Sequence, residues 1–325
     1  YYMRARITRA LIERKGFHIV AVEADWPDAA RIDHYVQHRE FPPSEWTAFA
    51  RFPTWMWRNR EMRQFVDWLR EHNAGILDTH ERVGFYGLDL YSLFVSIEAV
   101  TKYLRAVDPP AADKALERYQ SLLQWRGAPE EYGRAVLSRQ ITDCADDVTA
   151  MLAEILGKAR SYAVHDGERF LDAAQNAKLV SRAEEYYRTI YLGSAESWNL
   201  RDRHMFDTLQ SIRTFRGDGA KAVVWAHNSH VGNAAATEMG RSRKINIGQL
   251  AGEAHGRDAY LIGFGTDRGT VAAASYWDGP MEVKQVRPAL EGSYEALFRD
   301  NGPPRFLLPL GIDHGRELRG MLEQD

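Results

Sequence analysis

The residues best suited to chemistry are two histidines that follow a short apolar segment late in the chain. Residues 223–225 are β-formers typical of a buried strand, and Ala-His-Asn-Ser-His comes directly after them. An imidazole exchanges protons easily near neutral pH. We therefore expect His227 and His230 to orient or activate water or to polarise a carbonyl group, with Asn228 contacting the substrate. The alternative is a solvated or helix-capping role, because His-x-x-His also occurs by chance.

Acidic residues end two earlier predicted strands. Glu23 is the last residue of the strand at 18–23, and Asp89 follows the strand at 82–88. Ligands of open α/β sheets bind beyond the carboxyl ends of the strands. We expect Glu23 to fix the tautomer of a histidine, whereas Asp89 fits either a substrate contact or a helix cap. Asp25 is predicted to cap the following helix.

A further polar group, Arg201 with Asp202, lies on a predicted helix around residues 198–205. Helical spacing places Arg201, Met205 and Thr208 on one face. Arg201 and Asp202 would either support the end of the sheet or contact substrate. For this spacing alone, a solvated charged face is the default interpretation.

The sequence argues against several other chemistries. It contains no Gly-x-Ser-x-Gly motif, so a serine nucleophile is not expected. The glycines at 263–269 form neither Gly-x-Gly-x-x-Gly nor a phosphate-binding Gly-Lys-Ser/Thr loop, and no cofactor is predicted. Cys144 lies in an apolar helical pattern and is predicted to be a core residue.

Strands and helices alternate around these groups. Predicted strands cover residues 18–23, 82–88, 221–226, 258–264, 270–275 and 304–308. Predicted helices cover residues 2–15, 25–37 and 55–72 and nearly all of 92–214. This order predicts an α/β fold with a mostly parallel central sheet flanked by helices. We expect residues 1–91 and 217–325 to form the α/β catalytic core, and residues 92–216 to be a helical insertion that forms one wall of the cleft.

The composition limits partners and compartment. The chain has 325 residues, a formal net charge of −3 and one cysteine. No basic excess suggests nucleic acid, and no segment resembles a membrane span or signal peptide. A reducing cytoplasm is the expected location, and the oligomeric state stays open. Because the chain opens at Tyr1 within a predicted helix, we expect a fragment of a longer protein.

Ordered motifs across nearly the whole chain resemble the erythromycin esterase family. The matching stretches are residues 2–17, 22–28, 84–89, 198–202, 226–231 and 246–248. The Glu-Ala-Asp-Trp-Pro-Asp form of residues 23–28 is more similar to environmental bacterial members than to the clinical antibiotic-resistance enzymes. Several motifs in the correct order are far more specific than any single one.

The resemblance implies a fold, an activity and site residues. It implies an α/β core with a large helical insertion, and hydrolysis of an ester without metal, in the best-known members the lactone of a macrolide. The family's early arginine corresponds to Arg4, its strand-end glutamate to Glu23, and its late histidines to His227 and His230. The family histidine that serves as general base would precede Tyr1, so we expect it outside this sequence.

Three functions remain open from the sequence. The first is a metal-independent hydrolase of a small-molecule ester or lactone. The second is a metal-dependent hydrolase, because His227, His230 and Glu23 could supply two imidazoles and a carboxylate. The third is a non-catalytic binding or accessory protein linked to polysaccharide metabolism.

Overall fold

The computed structural model describes residues 1–39, 48–51, 53–163, 167–276, 278–303 and 306–309. Its strands are β1 Ile19–Asp25, β2 Gly84–Asp89, β3 Ala222–Trp225, β4 Thr270–Ala273 and β5 Glu282–Gln285. Its helices are α1 Tyr2–Lys15, α2 Trp26–Val36, α3 Arg60–Ala74, α4 Leu93–Val107, α5 Pro109–Leu123, α6 Pro129–Leu137, α7 Ala145–Gly157, α8 Ala159–Ala163, α9 Gly167–Thr189, α10 Ser194–Arg216, α11 Asn228–Val231, α12 Glu238–Arg241, α13 Ile247–His255 and α14 Tyr294–Asn301.

A three-stranded parallel sheet positions the site. Its order is β2-β1-β3, and Val22 of the central strand pairs with Gly87 on one side and Trp225 on the other. A register shift after Val22 then places Asp25 opposite Asp89. The α/β fold class with a parallel sheet flanked by helices is confirmed, and the carboxyl ends of all three strands lie at one edge.

The side chains of β1 divide the core into two layers. Ile19 and Ala21 pack in a cluster with α4, α5, α7, α9 and α10, whereas Val20 and Val22 pack with residues of α2 and α3. Every residue of β1 is buried, as expected for a central parallel strand. Apolar contact on both faces therefore holds the strand that ends at the site.

The described residues between 93 and 216 are mostly helical, as predicted, and form the helices α4 to α10. The helices α5 and α6 begin at Pro109 and Pro129, and α10 follows Gly193. The long helices α9 and α10 pack against each other, and α10 also contacts β1 and β2. The sheet and these helices belong to one compact unit, Tyr1–Gly263. The division into a core and a wall of the cleft stays a prediction.

A second compact unit comprises Phe264–Asp325. Its described part contains the antiparallel pair β4–β5 and α14. The predicted strand at 270–275 is therefore confirmed in part, but it pairs with β5 instead of extending the parallel sheet. No helix among the described residues combines the length and apolar character that a membrane crossing requires.

Three predictions about elements were wrong or cannot be judged. Residues 259–264 form no strand, because an apolar composition cannot make a strand without a neighbour to supply ladder hydrogen bonds; Tyr260 there is 77% exposed. Residues 306–309 are irregular, and 304–305 lie outside the described residues. The helix predicted from residue 55 begins at Arg60, because the Asn59 side chain accepts the Met62 N–H and caps it.

Candidate active site

The Glu23 carboxylate lies at the centre of a buried polar cluster at the end of β1. Its Oε1 lies 2.8 Å from Arg201 Nη2 and 3.3 Å from His230 Nε2. Its Oε2 accepts the backbone N–H of His227 at 2.8 Å. The Trp57 indole donates to the Glu23 carbonyl oxygen at 2.7 Å, which fixes the backbone that carries this side chain. Glu23 thus joins β1 to the turn that follows β3.

Arg201 connects α10 to the ends of two strands. Its Nε and Nη2 donate to Asp89 Oδ1 and Oδ2 at 2.9 and 2.7 Å, a bidentate pair, while Nη2 also donates to Glu23. The Arg201 side chain is only 12% exposed, and that of Asp202 is completely buried. The interpretation of these residues as a solvated charged face was therefore wrong. The guanidinium compensates two carboxylates that would otherwise repel each other.

His230 is buried between two carboxylates and an indole. Its Nδ1 lies 2.9 Å from both Oδ atoms of Asp202, and its Nε2 faces Glu23. The Trp198 ring stacks on it with centroids 4.6 Å apart and planes 4° apart. Burial alone lowers the pKa of His230, but the hydrogen bonds with Asp202 and Glu23 outweigh it and raise the pKa to about 9. This pKa favours the imidazolium at neutral pH, against the charge of Arg201, whose Nη1 lies 3.1 Å from His230 Nε2.

Three carboxyl groups of the cluster differ in how easily they ionise. Burial raises the pKa of Glu23, but the hydrogen bond from His230 and the charge of Arg201 bring it well below its usual range. For Asp89 burial acts in the same way, and Arg201 again lowers the net pKa. Burial dominates for Asp202 and raises its pKa despite His230. Glu23 and Asp89 are therefore ionised and are poor proton carriers near neutral pH.

Asp25 does not have the role predicted from the sequence. It occupies the N-cap position of α2, but its side chain makes no capping hydrogen bond. Its Oδ1 instead accepts the Tyr91 N–H at 3.0 Å, and its Oδ2 accepts from Arg51 Nε at 2.9 Å. Burial raises the pKa of Asp25 to about 6, against the opposing charge of Arg51. The cap prediction was wrong because the Asp25 carboxylate bonds to Tyr91 and Arg51 instead of to the first N–H groups of α2.

His227 is the exposed histidine of the pair. Its Nδ1 accepts the Ser229 N–H at 3.2 Å and lies 2.8 Å from Ser229 Oγ. A nitrogen that accepts a backbone N–H carries no proton, so the neutral ring holds its proton on Nε2. No hydrogen bond from any described residue engages Nε2. His227 is therefore an accessible N–H donor beside a buried ionic cluster.

The remaining predicted residues support or adjoin this turn. Arg4 Nη2 donates to the carbonyl oxygen of Ala226 at 3.0 Å and so connects α1 to the residue before His227. Asn228 is exposed as the first residue of α11. Asn246 is buried, and its Nδ2 donates to the Ser229 carbonyl at 2.8 Å. The structure brings all the predicted site residues to one edge of the sheet.

Sequence reasoning missed several members of the site. Arg51 follows no strand and no motif, and Tyr91 comes two residues after β2 but was not singled out; both contact Asp25. Trp198 was noted only as part of the helical segment, although its ring covers His230. The role of Asp202 as the partner of His230 Nδ1 is set by the packing of α10 against the turn after β3. No local pattern identifies any of these contacts.

The described residues of the site do not form a set of metal ligands. Within the described ranges, no group of three His, Cys, Asp or Glu side chains is placed to hold a metal ion. The Arg201 guanidinium approaches both Glu23 Oε1 and His230 Nε2, at 2.8 and 3.1 Å, and so places a positive charge where a shared cation would lie. Among the described residues, His227, His230 and Glu23 are thus not found together as a group of metal ligands.

The fold and the site define a class of α/β protein in which histidine, carboxylate and arginine side chains meet at the ends of parallel strands. The family model "Erythromycin esterase" matches residues 12–325. The chain therefore belongs to the erythromycin esterase family, a family of hydrolases.

Three solved structures share this fold. A Bacillus cereus protein has 21% identity and a TM-score of 0.71, with 91% of this chain and 69% of that chain covered. A succinoglycan biosynthesis protein has 21% identity and a TM-score of 0.66, with coverage of 88% and 67%. A mutant of the erythromycin esterase EreC in its open conformation has 16% identity and a TM-score of 0.66, with coverage of 92% and 76%.

Proposed function

We propose that the protein hydrolyses a carboxylic ester or lactone of a small molecule by metal-independent attack of water. The observation that carries this proposal is the meeting of an accessible imidazole, His227, with the buried cluster of Glu23, Arg201 and His230 at the strand ends. Family membership supports hydrolysis, and the geometry supports a polar reaction at an electrophilic carbonyl.

His227 donates to the carbonyl oxygen of the substrate. Its Nε2 carries the proton because Nδ1 accepts the Ser229 N–H. When water adds to the ester, the carbonyl oxygen gains negative charge, and an N–H donor held in place strengthens its interaction as that charge develops. Glu23 holds the His227 backbone N–H, so it positions this donor without giving up a proton itself.

The cations of the cluster keep the site electrically balanced. Arg201 and the His230 imidazolium lie among Glu23, Asp89 and Asp202. Their positive charge also favours an oxyanion formed at the nearby turn. Asp89 and Asp202 are buried and affect the substrate through Arg201 and His230, whereas the exposed Asn228 contacts the substrate directly.

The base that activates water is a separate group in this proposal. Glu23 is a weak base because its pKa is lowered, and His227 holds a proton on its outward nitrogen. The family resemblance implies a histidine as the general base, and neither His227 nor His230 takes that task here. We propose that Arg4 stabilises the turn that receives the substrate, through its bond to the Ala226 carbonyl.

A hydrolysis assay on the protein tests the proposal. Macrolides are the first substrates to try because EreC, which has the same fold, is named an erythromycin esterase. A panel of lactones and simple esters should yield at least one product heavier by one water in mass spectrometry. Retained turnover after treatment with chelator is expected. No turnover across the panel, or loss with chelator and recovery with Zn²⁺, would contradict it.

A binding or accessory role is the second candidate, since one protein of the same fold is named for succinoglycan biosynthesis. Here the turn at His227 would recognise a saccharide without cleaving it. His230→Ala separates the two functions. If ligand binding persists in both wild type and variant while neither hydrolyses any ester, the accessory role replaces the hydrolase.

A further inference from the structure

Arg51 lies beside the catalytic cluster with part of its guanidinium exposed. Its Nε donates to Asp25 Oδ2 at 2.9 Å, and its Cζ lies 4.1 Å from the centroid of the Tyr91 ring. The Arg51 side chain is 37% exposed to solvent. No described residue makes a hydrogen bond to either Nη group. The group is therefore fixed along one edge, with its two terminal nitrogens available to a ligand.

The backbone around Arg51 is held in place before any ligand binds. The Asp28 carboxylate accepts the N–H groups of Phe49 and Ala50, and Arg58 Nε donates to the Ala48 carbonyl at 2.9 Å. Phe49 is buried and packs against Trp57 with ring centroids 6.4 Å apart. Pre-organised groups bind ligands with less loss of conformational entropy. This anchoring distinguishes Arg51 from an ordinary surface arginine.

Arg51 lies at the same edge of the sheet as Arg201. The Tyr91 ring has Arg51 Cζ at 4.1 Å and Arg201 Cζ at 5.1 Å from its centroid. Asp25, which holds Arg51, lies opposite Asp89, which holds Arg201, in the β1–β2 register. A substrate that reaches the turn at His227 therefore has a second, cationic group within the same site.

We propose that Arg51 binds a carboxylate on the substrate, in the part of the ester that does not react. A guanidinium matches a carboxylate with two parallel N–H donors. The neighbouring acids Asp25, Asp89 and Glu23 disfavour a dianionic phosphate more strongly than a monoanion. The substrate class is thus an ester that also carries one free carboxylate. This inference rests on the proposed function.

Two esters that differ only at the acyl terminus test the inference. The para-nitrophenyl monoester of adipic acid ends in a carboxylate, and para-nitrophenyl hexanoate ends in a methyl group. The wild type should favour the adipate ester in kcat/KM by about tenfold or more. Arg51→Gln should bring this ratio close to one, mainly through KM. Arg51→Lys, which keeps the charge but loses the two-pronged donor, should retain part of the preference.

Arg63→Gln is the matched control. Arg63, on α3, also donates through Nε to an aspartate, Asp67, at 2.9 Å and lies over the ring of Tyr35, and neither partner is a proposed site residue. This variant should keep the wild-type ratio. A ratio near one in the wild type, or a ratio unchanged in Arg51→Gln, overturns the inference. If an ester that ends in a phosphate had a higher kcat/KM than the adipate ester, the assignment of a carboxylate would be overturned.

A binding measurement distinguishes failure of this inference from failure of the proposed function. If the wild type cleaves neither ester, the hydrolase proposal fails for these substrates. Binding of adipic acid monoanilide and hexananilide, which are not readily cleaved, then decides the role of Arg51. Tighter binding of the monoanilide that disappears in Arg51→Gln supports it, and equal binding of the two compounds overturns it.

Discussion

Arg201 is the side chain that most directly connects the parts of the site. It contacts Asp89, Glu23 and His230, which come from β2, β1 and the turn after β3. A lysine at this position would offer a single point charge in place of the planar set of donors. The charge balance of the cluster therefore depends on one guanidinium that α10 supplies.

The first prediction concerns His227. His227→Gln removes the imidazole but keeps a side-chain amide, and we expect kcat to fall by about 10²- to 10³-fold, as for loss of an oxyanion donor. The free energy of unfolding should change by less than about 1 kcal/mol because the side chain is exposed. Steady-state kinetics and urea denaturation measure the two effects.

His80→Gln serves as the control for this variant. His80 is exposed in the loop before β2, away from the strand ends that form the site. Its replacement should leave kcat and KM at the wild-type values. Full activity in His227→Gln would remove His227 from the proposed mechanism.

A second prediction concerns the partner of His230. Asp202→Asn replaces one of two carboxylates that face the imidazole, so the pKa of His230 should fall from about 9 toward its ordinary value. NMR titration of the ring protons measures this change. Asp218→Asn, at an exposed turn, should leave the titration unaltered. An unchanged pKa in Asp202→Asn would show that Glu23 alone sustains the imidazolium.

The sequence identifies some of these residues and not others for a physical reason. Glu23 and Asp89 end apolar segments, and His230 follows one. Because ligands bind beyond the carboxyl ends of strands in an α/β sheet, polar residues at these positions are predicted to belong to the site. Arg51 lies beside the site through its contacts with Asp25 and the Tyr91 ring. Contacts between residues far apart in sequence carry no local signature, and Asp25 was accordingly interpreted as a helix cap.

At the scale of elements, α13 supports the turn that carries both histidines. Asn246 Oδ1 accepts the Gln249 N–H at 2.9 Å and caps α13, while Nδ2 donates to the Ser229 carbonyl at 2.8 Å. A Cβ at Gly248 would lie 2.2 Å from the Gly232 carbonyl oxygen, so the two backbones pack in direct contact. The geometry of His227 and His230 therefore depends on a helix that follows them.

A third prediction tests this support. Asn246→Ala removes a helix cap and leaves the part-buried Ser229 carbonyl without its donor, so stability should fall by about 1–3 kcal/mol. Chemical denaturation measures the loss, and kcat should also fall because the turn loses its anchor. Asn301→Ala, at the exposed end of α14, should cost less than about 0.5 kcal/mol. A similar cost in both variants would contradict the supporting role.

Helical spacing predicts elements better than apolar content does. The segment 92–214 was predicted to be nearly all helical from its residue pattern. The strand at 258–264 was not found, because its apolar residues have no neighbouring strand. Whether an apolar run joins a sheet depends on partners that its own sequence does not contain.

At the scale of the whole molecule, the helical segment does more than border the sheet. The helix α10 supplies Arg201 and Asp202 to the site, and the hydroxyl group of Tyr186 on α9 lies 3.3 Å from that of Tyr91. The charge cluster thus joins the sheet and the helices, and its ionisation state contributes to the stability of the compact unit Tyr1–Gly263.

The last prediction follows from this linkage. The pKa of His230 is raised from 6.5 to about 9 in the folded state, so folding favours the protonated form. The resulting stabilisation is complete below pH 6.5 and is lost as pH rises through about 9. Each pKa unit corresponds to roughly 1.4 kcal/mol, so the raised pKa of His230 corresponds to about 3 kcal/mol of stability. The free energy of unfolding should therefore decline between pH 6.5 and 9.

His230→Gln isolates this contribution. The variant has no imidazole to titrate, so its unfolding free energy should be lower at pH 6 and should lose most of the decline toward pH 9. Urea denaturation at half-unit pH intervals gives both curves, and their difference is the contribution of His230. Asp25, whose pKa is raised to about 6, adds a separate decline between about pH 4 and 6 that both proteins share. If the wild-type and variant curves run parallel from pH 6.5 to 9, His230 is not an imidazolium in the folded protein, and the charge balance assigned to the site is incorrect.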